Sequence, residues 1–262
     1  DAMKRARSHF RLIGPCLVFG IARMLFSCPA LGQVETPEQQ TPEQAPPKEK
    51  EKPPSVERVA KGIYRVDNVL LDRNRNLISF PAVSNQVNGL VEYGIVHENG
   101  KTHEALFRTK VRPIRLQFVL LLAKMKPAKD FVENLWEEKP KPMDVTAHKI
   151  GVFVSWDHNG SKGNVALETL ALNQKDAKPI EPNSFVFNGS RFVGDSFQAE
   201  STGSILAVYA DDTAMFNSSD YDSNNDDVWY ADKNAMPPLE TPVIITLRLP
   251  KAEDKRKLAP TP

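Results

Sequence analysis

The sequence predicts an α+β domain built on a largely antiparallel β-sheet, with one strongly apolar core helix at about residues 112–125. Three observations support this. Short β-rich runs separated by turn residues fill most of the second half of the chain. Asn-Gly pairs at 99–100 and 188–189 mark tight turns. Behind the first 58 residues, only one long apolar run, from Ile114 to Met125, has the length of a helix. Many hairpins with a single helix are typical of an antiparallel sheet.

The first 32 residues have the pattern of a secretory signal peptide. A basic start precedes an apolar stretch from Leu12 to Phe26, and Ala30-Leu31-Gly32 fits a small-x-small cleavage site. The stretch is shorter than the roughly 20 residues that a membrane span needs, and Arg23 interrupts it. A membrane anchor and a lipoprotein signal with the lipid on Cys28 remain alternatives. We therefore expect an exported protein of the periplasm or cell envelope.

Residues 33–58 are predicted to form a disordered linker. Thr-Pro-Glu-Gln occurs at 36–39 and again at 41–44, and the remainder is rich in Pro, Lys and Glu. Without apolar periodicity such a segment cannot offset its ordering entropy. We interpret it as a tether to a globular domain at 59–250, which a charged, proline-rich and disordered tail follows at 251–262.

The β-rich runs of this domain each end at turn residues. The first two flank the turn at 73–76. The next two, at 89–97 and 102–109, flank Glu98-Asn99-Gly100-Lys101, and Asn-Gly is the preferred pair for a type I′ turn. We therefore predict an antiparallel hairpin that places His97 opposite Thr102. The later predicted strands are 149–156 with its turn at 157–160, then 164–172, 185–192 around its own Asn-Gly pair, 197–209 and 241–249.

The predicted helix begins where Pro113 suits a first helical turn, and it stops at Lys126-Pro127. Its residues are apolar nearly all round, yet the run is too short to span a bilayer. We expect a central helix that other elements cover on several sides.

Charge and cysteine content exclude several functions. The formal net charge is +1, so the chain has no overall basic field that would attract nucleic acid. Its two cysteines, Cys16 and Cys28, both lie in the predicted signal. The domain behind the linker therefore has no disulfide, no cysteine-ligated zinc and no cysteine-ligated iron–sulfur cluster.

Two segments carry residues of the types that bind metal ions. On the predicted hairpin, His97 and Glu104 share one face and would form half of a zinc site. The alternative is a polar hairpin tip with Glu104 paired to a nearby arginine. The second segment is an acidic loop at 220–227, whose alternate oxygen side chains resemble the start of a calcium loop. Its candidate ligands are Asp220, Asp222, Asn224 and Asp226. It lacks Gly at the sixth position and Glu at the twelfth, so a solvated acidic loop is the alternative. Beyond these two ions we expect no cofactor.

The chain contains no nucleophile elbow, P-loop or dinucleotide fingerprint. Its tryptophans and several tyrosines are candidates for a ligand surface, although aromatic residues also fill cores and rims. These aromatic candidates are Trp136, Trp156, Trp229, Tyr209, Tyr221 and Tyr230.

The segments 89–93 and 101–106, together with the apolar helix and Lys126-Pro127, resemble the YdjY-domain family of uncharacterised exported bacterial proteins. The segments 187–190, 205–209, 226–230 and 238–249 are similar as well. The resemblance covers roughly residues 60 to 250. It implies an export signal but no catalytic residue, because the family has no established activity. Some members are labelled ferredoxin-like, which a body without cysteine does not support as a cysteine-ligated cluster.

We therefore expect an exported, non-catalytic binding or envelope-associated module that is presented on its linker to an envelope protein or ligand. Membrane contact is expected only through the signal or a lipid at Cys28. The alternative is a metal-dependent hydrolase or metal-binding enzyme that uses His97 and Glu104 or the acidic loop at 220–227. A third ligand beside His97 and Glu104 in a concave pocket would favour the enzyme.

Overall fold

β-Strands dominate residues 53–251, the part of the chain that this computed structural model describes. The strands are β1 Val56–Ala60, β2 Ile63–Val66, β3 Val69–Asp72, β4 Leu77–Ser84, β5 Gly89–Leu90, β6 Tyr93–His97, β7 Ala105–Thr109, β8 Gly151–His158, β9 Ser161–Ala166, β10 Ala171–Asn173, β11 Phe185–Phe187, β12 Phe192–Val193, β13 Ser196–Phe197, β14 Ser204–Ala207, β15 Phe216–Ser218, β16 Trp229–Ala231 and β17 Pro242–Arg248. The α-helices are α1 Pro113–Leu122, α2 Phe131–Leu135 and α3 Gln198–Thr202. The 3₁₀-helices are Thr102–Glu104, Thr146–His148 and Leu167–Leu170. The fold is therefore mainly β with few helices.

Twelve of these strands form one mixed sheet, in which the order β1-β2-β3-β4-β7-β6-β14-β15-β11 is extended by β17 and by β8-β9. The sheet branches at β4, which pairs along its full length with β17 and shares its other edge between β3 and β7. A bridge between Lys149 and Val186 joins the segment before β8 to β11. β11, at one end of the strand order, is therefore connected back to the segment that leads into β8. A three-stranded sheet, β10-β16-β5, and the hairpin β12-β13 lie outside it.

The prediction of an antiparallel hairpin at Asn99-Gly100 is wrong. Strands β6 and β7 run parallel, with Tyr93 opposite Ala105 and His97 opposite Thr109. Neither Asn99 nor Gly100 has the positive φ that a type I′ turn needs. Backbone groups of this segment bond elsewhere instead. The N–H of His97 donates to Gly203 at 2.8 Å, and the N–H of residue 98 donates to Thr109 at 2.9 Å. Tertiary contacts thus outweigh the local turn preference.

Of the other two Asn-Gly pairs at expected turns, one forms a hairpin and one does not. Asn159 and Gly160 have φ of 49° and 81° and join β8 to β9 as an antiparallel hairpin. The hairpin predicted around Asn188-Gly189 is absent, because β11 pairs with β15. The parallel pairs β6–β7 and β14–β15 make the sheet mixed. The other strand pairs of the described residues are antiparallel, so the sheet is largely antiparallel as the sequence predicted.

The apolar helix predicted at about 112–125 spans Pro113–Leu122. Its buried residues are Pro113, Leu116, Val119 and Leu120. Its other residues are half-buried except Leu121, which is 57% exposed. The main core lies between α1 and the inner faces of the large sheet, where β17 alternates buried Val243, Ile245 and Leu247 with outward-facing residues.

The N-terminal expectations lie mostly outside the described residues. The signal at 1–32, the tail beyond residue 251 and most of the linker belong to this group. Strand β1 begins at Val56, so residues 56–58 of the predicted linker are part of the sheet. None of the helices within residues 53–251 combines the length and hydrophobicity needed to cross a lipid bilayer.

Candidate functional site

A cavity of about 330 Å³ opens beside the start of β6 and is the strongest candidate site. We call it the Lys101 pocket. Five separate segments of the chain contribute to its walls. Its lining residues are Glu92, Tyr93, Lys101, Trp136, Thr202, Ser204, Tyr209, Ala210, Asp211 and Thr213. A concave surface with converging ionisable groups is the expected form of a ligand site.

Tyr93 forms part of the pocket wall and is almost completely buried, with 2% of its surface exposed. Its hydroxyl donates to Oδ2 of Asp211 at 2.9 Å. Burial, reinforced by the negative charge of Asp211, raises the pKa of Tyr93 to about 12. Tyr93 is therefore a neutral phenol at neutral pH, and it acts as a hydrogen-bond donor rather than as a base.

Asp211 is held in place by its own turn. Its Oδ1 accepts hydrogen bonds from the backbone N–H of Thr213 at 2.8 Å and from the hydroxyl of Thr213 at 2.7 Å. Its backbone N–H donates to Oδ1 of Asn217 at 2.7 Å, and the hydroxyl of Thr213 lies 3.2 Å from that of Thr202. These bonds fix the side chains of Asp211 and Thr213 before any ligand binds. Binding therefore costs little conformational entropy at these two residues.

Lys101 places a positive charge at the pocket. Its Nζ lies 3.5 Å from Oε2 of Glu92 and 5.1 Å from the centroid of the Tyr93 ring. Burial alone would lower the pKa of Lys101, but Tyr93 and the carboxylates of Glu92 and Glu104 raise it above its ordinary value. Lys101 is therefore an ammonium ion at neutral pH and cannot serve as a general base.

Glu92 is the carboxyl group of the pocket that is most easily protonated. Burial raises the pKa of Glu92, and the nearby charge of Glu104 raises it further, against the opposing effect of Lys101. Its ion pair with Lys101 is long and half-exposed, and such pairs contribute little stability. The ammonium group therefore remains available to a stronger anionic partner.

Trp136 forms the flat apolar part of the pocket. It directly follows α2, which is anchored by the buried Phe131 and Val132. The indole is 49% exposed even though it is a large apolar side chain. An exposed aromatic ring at the mouth of a cavity, opposite polar groups, is the arrangement that binds ligands with a flat face.

The pocket offers one cation, several hydroxyl groups and an aromatic surface. The hydroxyl of Thr213 donates to Asp211 and lies 3.2 Å from that of Thr202. Among the sequence candidates, only Trp136 and Tyr209 lie in it. Tyr93 and Asp211 are 118 positions apart, so no local pattern indicated their contact.

The structure does not bring His97 and Glu104 together. His97 lies opposite Thr109, at the far end of β7 from Ala105, and Glu104 precedes Ala105. A strand rise of about 3.3 Å per residue separates the two ends of β7 by roughly 13 Å. Nδ1 of His97 accepts a bond from Asn99, and the Glu104 carboxylate lies 3.3 Å from Nε2 of the adjacent His103. The shared face predicted for His97 and Glu104 is therefore wrong.

The acidic loop at 220–227 uses its buried carboxylates within the protein. Oδ2 of Asp220 accepts the backbone N–H of Glu181 at 2.7 Å. Asp222 accepts Nδ2 of Asn173 at 2.7 Å and forms an ion pair with Lys175 at 3.0 Å. The other two candidates, Asn224 and Asp226, are exposed. Within residues 53–251, no three His, Cys, Asp or Glu side chains converge as a metal site.

The remaining aromatic candidates have structural environments of their own. Trp229 is 1% exposed and belongs to the core. The indole N–H of Trp156 donates to the hydroxyl of Ser161 at 2.9 Å beside the β8–β9 turn. The hydroxyl of Tyr221 donates to Asp176 at 3.2 Å on the surface.

Comparison with known proteins yields one finding. A family model described as the YdjY domain matches residues 69–248, which is more than half of the chain. The match begins at β3 and ends with β17, and it includes the whole of the Lys101 pocket. No curated protein and no solved structure matches the chain.

Proposed function

We propose a function from the premise that this chain belongs to the YdjY domain family: the domain is a non-catalytic binding module that captures a small ligand in the Lys101 pocket. The ligand combines a ring that can stack on the indole with one negative charge. The observation that carries this proposal is the pairing of a half-exposed indole, Trp136, with the ammonium group of Lys101 in one cavity.

Each wall of the pocket has a part in this proposal. The ring of the ligand stacks on Trp136, and its anionic group replaces Glu92 as the partner of Lys101. The hydroxyl groups of Thr202, Ser204 and Thr213 satisfy polar atoms on the ring edge. Since hydrogen bonds to charged groups contribute about 1.5–3 kcal/mol each, the ammonium contributes more to affinity than any single hydroxyl.

The location of the domain is part of the same proposal. A signal at residues 1–32 and a tether at 33–58 would present the pocket in the periplasm or at the cell envelope, with a lipid on Cys28 as the anchored variant. The alternative from the sequence, a metal-dependent hydrolase, is not advanced, because His97 and Glu104 lie at opposite ends of β7 and no ligand set converges within residues 53–251.

The test is a fluorescence and calorimetric titration with glucuronate and benzoate as probes, and with glucose and benzyl alcohol as uncharged controls. We expect at least one acid to bind and its uncharged analogue to bind at least tenfold more weakly. Lys101→Met should weaken binding of the acid by at least tenfold, and Trp136→Leu should remove the fluorescence response.

Lys162→Met is the matched control, because this exposed lysine pairs with Asp157 on the β8–β9 hairpin and does not line the pocket. It should bind the acid with unchanged affinity. The proposal fails if neither acid binds at millimolar concentration, or if binding survives both pocket substitutions in variants that unfold at the wild-type temperature.

A further inference from the structure

A second concave surface lies on the outward side of the large sheet, away from the core. It encloses about 500 Å³, and we call it the arginine trough. The trough crosses β4, β17, β8 and β9, and its lining residues are Arg75, Leu77, Ser79, Phe153, Ser155, Asn164, Ala166, Thr246 and Arg248. None of these residues lines the Lys101 pocket.

Strand register arranges the polar residues of the trough in rows. Ser79 on β4 lies opposite Thr246 on β17, and their hydroxyl oxygens are 3.0 Å apart. Ser155 on β8 lies opposite Asn164 on β9. Residues opposite each other on neighbouring strands project to the same face. The floor of the trough therefore carries two polar pairs on successive rows, with Phe153 and Ala166 lying beside them. We call these four polar residues together the row from Ser79 to Asn164.

Arg248 is oriented by an aromatic ring. Its guanidinium carbon lies 4.3 Å from the centroid of the Phe153 ring. Gly151 on β8 lies opposite Arg248 and has no side chain that could cover the guanidinium group. A guanidinium group stacked on a ring keeps its N–H donors free in the plane. The guanidinium group of Arg248 is therefore already oriented to donate hydrogen bonds to an oxyanion before a ligand binds.

The trough is lined by two arginines and by no acidic residue. Arg75 lies in the turn between β3 and β4, two residues before Leu77, and Leu77 is opposite Arg248, so both arginines are at the same end of the trough. Within residues 53–251 neither guanidinium group makes a hydrogen bond or an ion pair. Paired arginine forks match carboxylate and phosphate geometry.

We infer that the arginine trough binds an acidic saccharide, whose oxyanion is held by Arg75 and Arg248 and whose hydroxyl groups lie along the row from Ser79 to Asn164. The row can both donate and accept hydrogen bonds, as sugar hydroxyls require. An acidic peptide fits less well, because β4, β17 and β8 are each paired on both edges. Strand β9 has an open edge, but β8 lies between it and Arg248 on β17.

Isothermal titration calorimetry of the full chain with tetragalacturonate tests this inference. We expect tetragalacturonate to bind and neutral cellotetraose not to bind. Arg248→Gln and Arg75→Gln should each weaken binding by at least tenfold. Arg58→Gln is the control, since this exposed arginine lies on β1 outside the trough, and it should leave the affinity unchanged. Thermal unfolding of each variant verifies that it is folded.

Two further probes distinguish an acidic saccharide from a free phosphate ion and from an acidic peptide. Inorganic phosphate should compete with tetragalacturonate but bind at least tenfold more weakly, because it cannot reach the row of hydroxyl groups. Tetraglutamate, with the same charge, should bind no more tightly than phosphate. The inference is overturned if tetragalacturonate does not bind, if the arginine variants bind it normally, or if either of these probes equals it. None of these results affects the Lys101 pocket, which shares no residue with the trough.

Discussion

Glu168 is a buried carboxyl group with an unsatisfied oxygen. Only 4% of the residue is exposed, its Oε1 accepts the backbone N–H of Asn183 at 3.1 Å, and its Oε2 has no hydrogen-bond partner. Burial raises the pKa of Glu168, and the two backbone hydrogen bonds oppose that effect only in part. The folded state therefore prefers the protonated form more than the unfolded state does.

This preference predicts a pH dependence of stability. Between the ordinary pKa of Glu168 and its raised value, the folded state binds more protons, so the free energy of unfolding falls as the pH rises. Glu168→Gln should remove this loss and match or exceed wild-type stability at pH 7. Urea denaturation from pH 4 to pH 8 measures it. Glu138→Gln changes an exposed carboxyl group and should keep the wild-type dependence of the free energy of unfolding on pH. The prediction is wrong if Glu168→Gln also keeps that dependence.

Gly203 is a position where only glycine fits. Its φ is +75°, and an added Cβ would lie 2.7 Å from the backbone Cα of Gly100. The left-handed conformation costs an L-residue about 1–2 kcal/mol, and overlap with a backbone atom adds about 1–3 kcal/mol. We expect Gly203→Ala to lower the free energy of unfolding by about 2–5 kcal/mol in denaturant titrations.

The control for Gly203 is Gly194, whose φ is +57° and whose added Cβ would meet nothing within 4 Å. Gly194→Ala should show only the conformational cost of about 1–2 kcal/mol. Equal losses for the two variants would show that the contact with Gly100 does not constrain the fold.

At the scale of elements, the sequence predicted strands better than it predicted their connections. Residues of β4, β8 and β17 alternate between buried and less buried positions, because one face of each strand packs against the core. The parallel pairing of β6 with β7 was not visible, because the bonds that decide it come from Gly203 and Thr109. A turn preference of a few tenths of a kcal/mol to about one kcal/mol cannot compete with a row of such contacts.

The loop at 220–227 permits a test of the calcium hypothesis. Because Asp222 is already bonded to Asn173 and Lys175, a calcium ion would have to displace an ammonium group. We expect millimolar calcium to leave the Tm unchanged, and Asp222→Ala to destabilise the protein by about 1–3 kcal/mol with or without calcium. Differential scanning calorimetry measures both effects.

Asp226→Ala is the matched control for this loop, since Asp226 is exposed and makes no hydrogen bond within the described residues. It should leave the Tm within about 1 °C of the wild type, because surface substitutions of this kind rarely exceed 0.5 kcal/mol. A rise in Tm with calcium that Asp222→Ala abolishes would instead support the calcium site.

At the scale of the whole molecule, the last strand is central. β17 pairs with β4 along seven positions and with β8 along five, and its Ile245 and Leu247 are almost fully buried. β1 lies at the other extreme, at an edge of the sheet, with all five of its residues exposed. The two ends of the domain therefore differ sharply in what they contribute to folding.

Two truncations test this difference. A chain that ends at Glu240 should fail to fold, because it leaves one full edge of β4 and of β8 unpaired and exposes apolar core. A chain that begins at Lys61 should retain the fold with a loss of about 1 kcal/mol, since β1 buries almost no surface. Circular dichroism and limited proteolysis distinguish the outcomes. A folded chain without β17 would contradict the central role of this strand.

The residues of the Lys101 pocket are far apart in the chain, so the sequence alone did not indicate that they converge. Trp136 and Tyr209 were recognisable as aromatic candidates, but the pocket also needs Lys101, Tyr93 and Asp211 from segments far apart in the chain. Their convergence depends on the position of β14 beside β6, which a non-local pairing fixes. Similarly, the arginine trough exists because β17 pairs with β4, which places Arg248 opposite Leu77, two residues after Arg75.

The central position of β17 also sets a waiting time during synthesis. Strand β4 is complete at Ser84, but its partner begins only at Pro242. At about 5–20 residues per second, a ribosome needs on the order of 10 s to make the intervening chain. Throughout that interval β4 keeps an apolar face and an open edge, and β8 does so once it is complete at His158. A chaperone or a translocation channel therefore has about 10 s in which the nascent domain is still without its central strand.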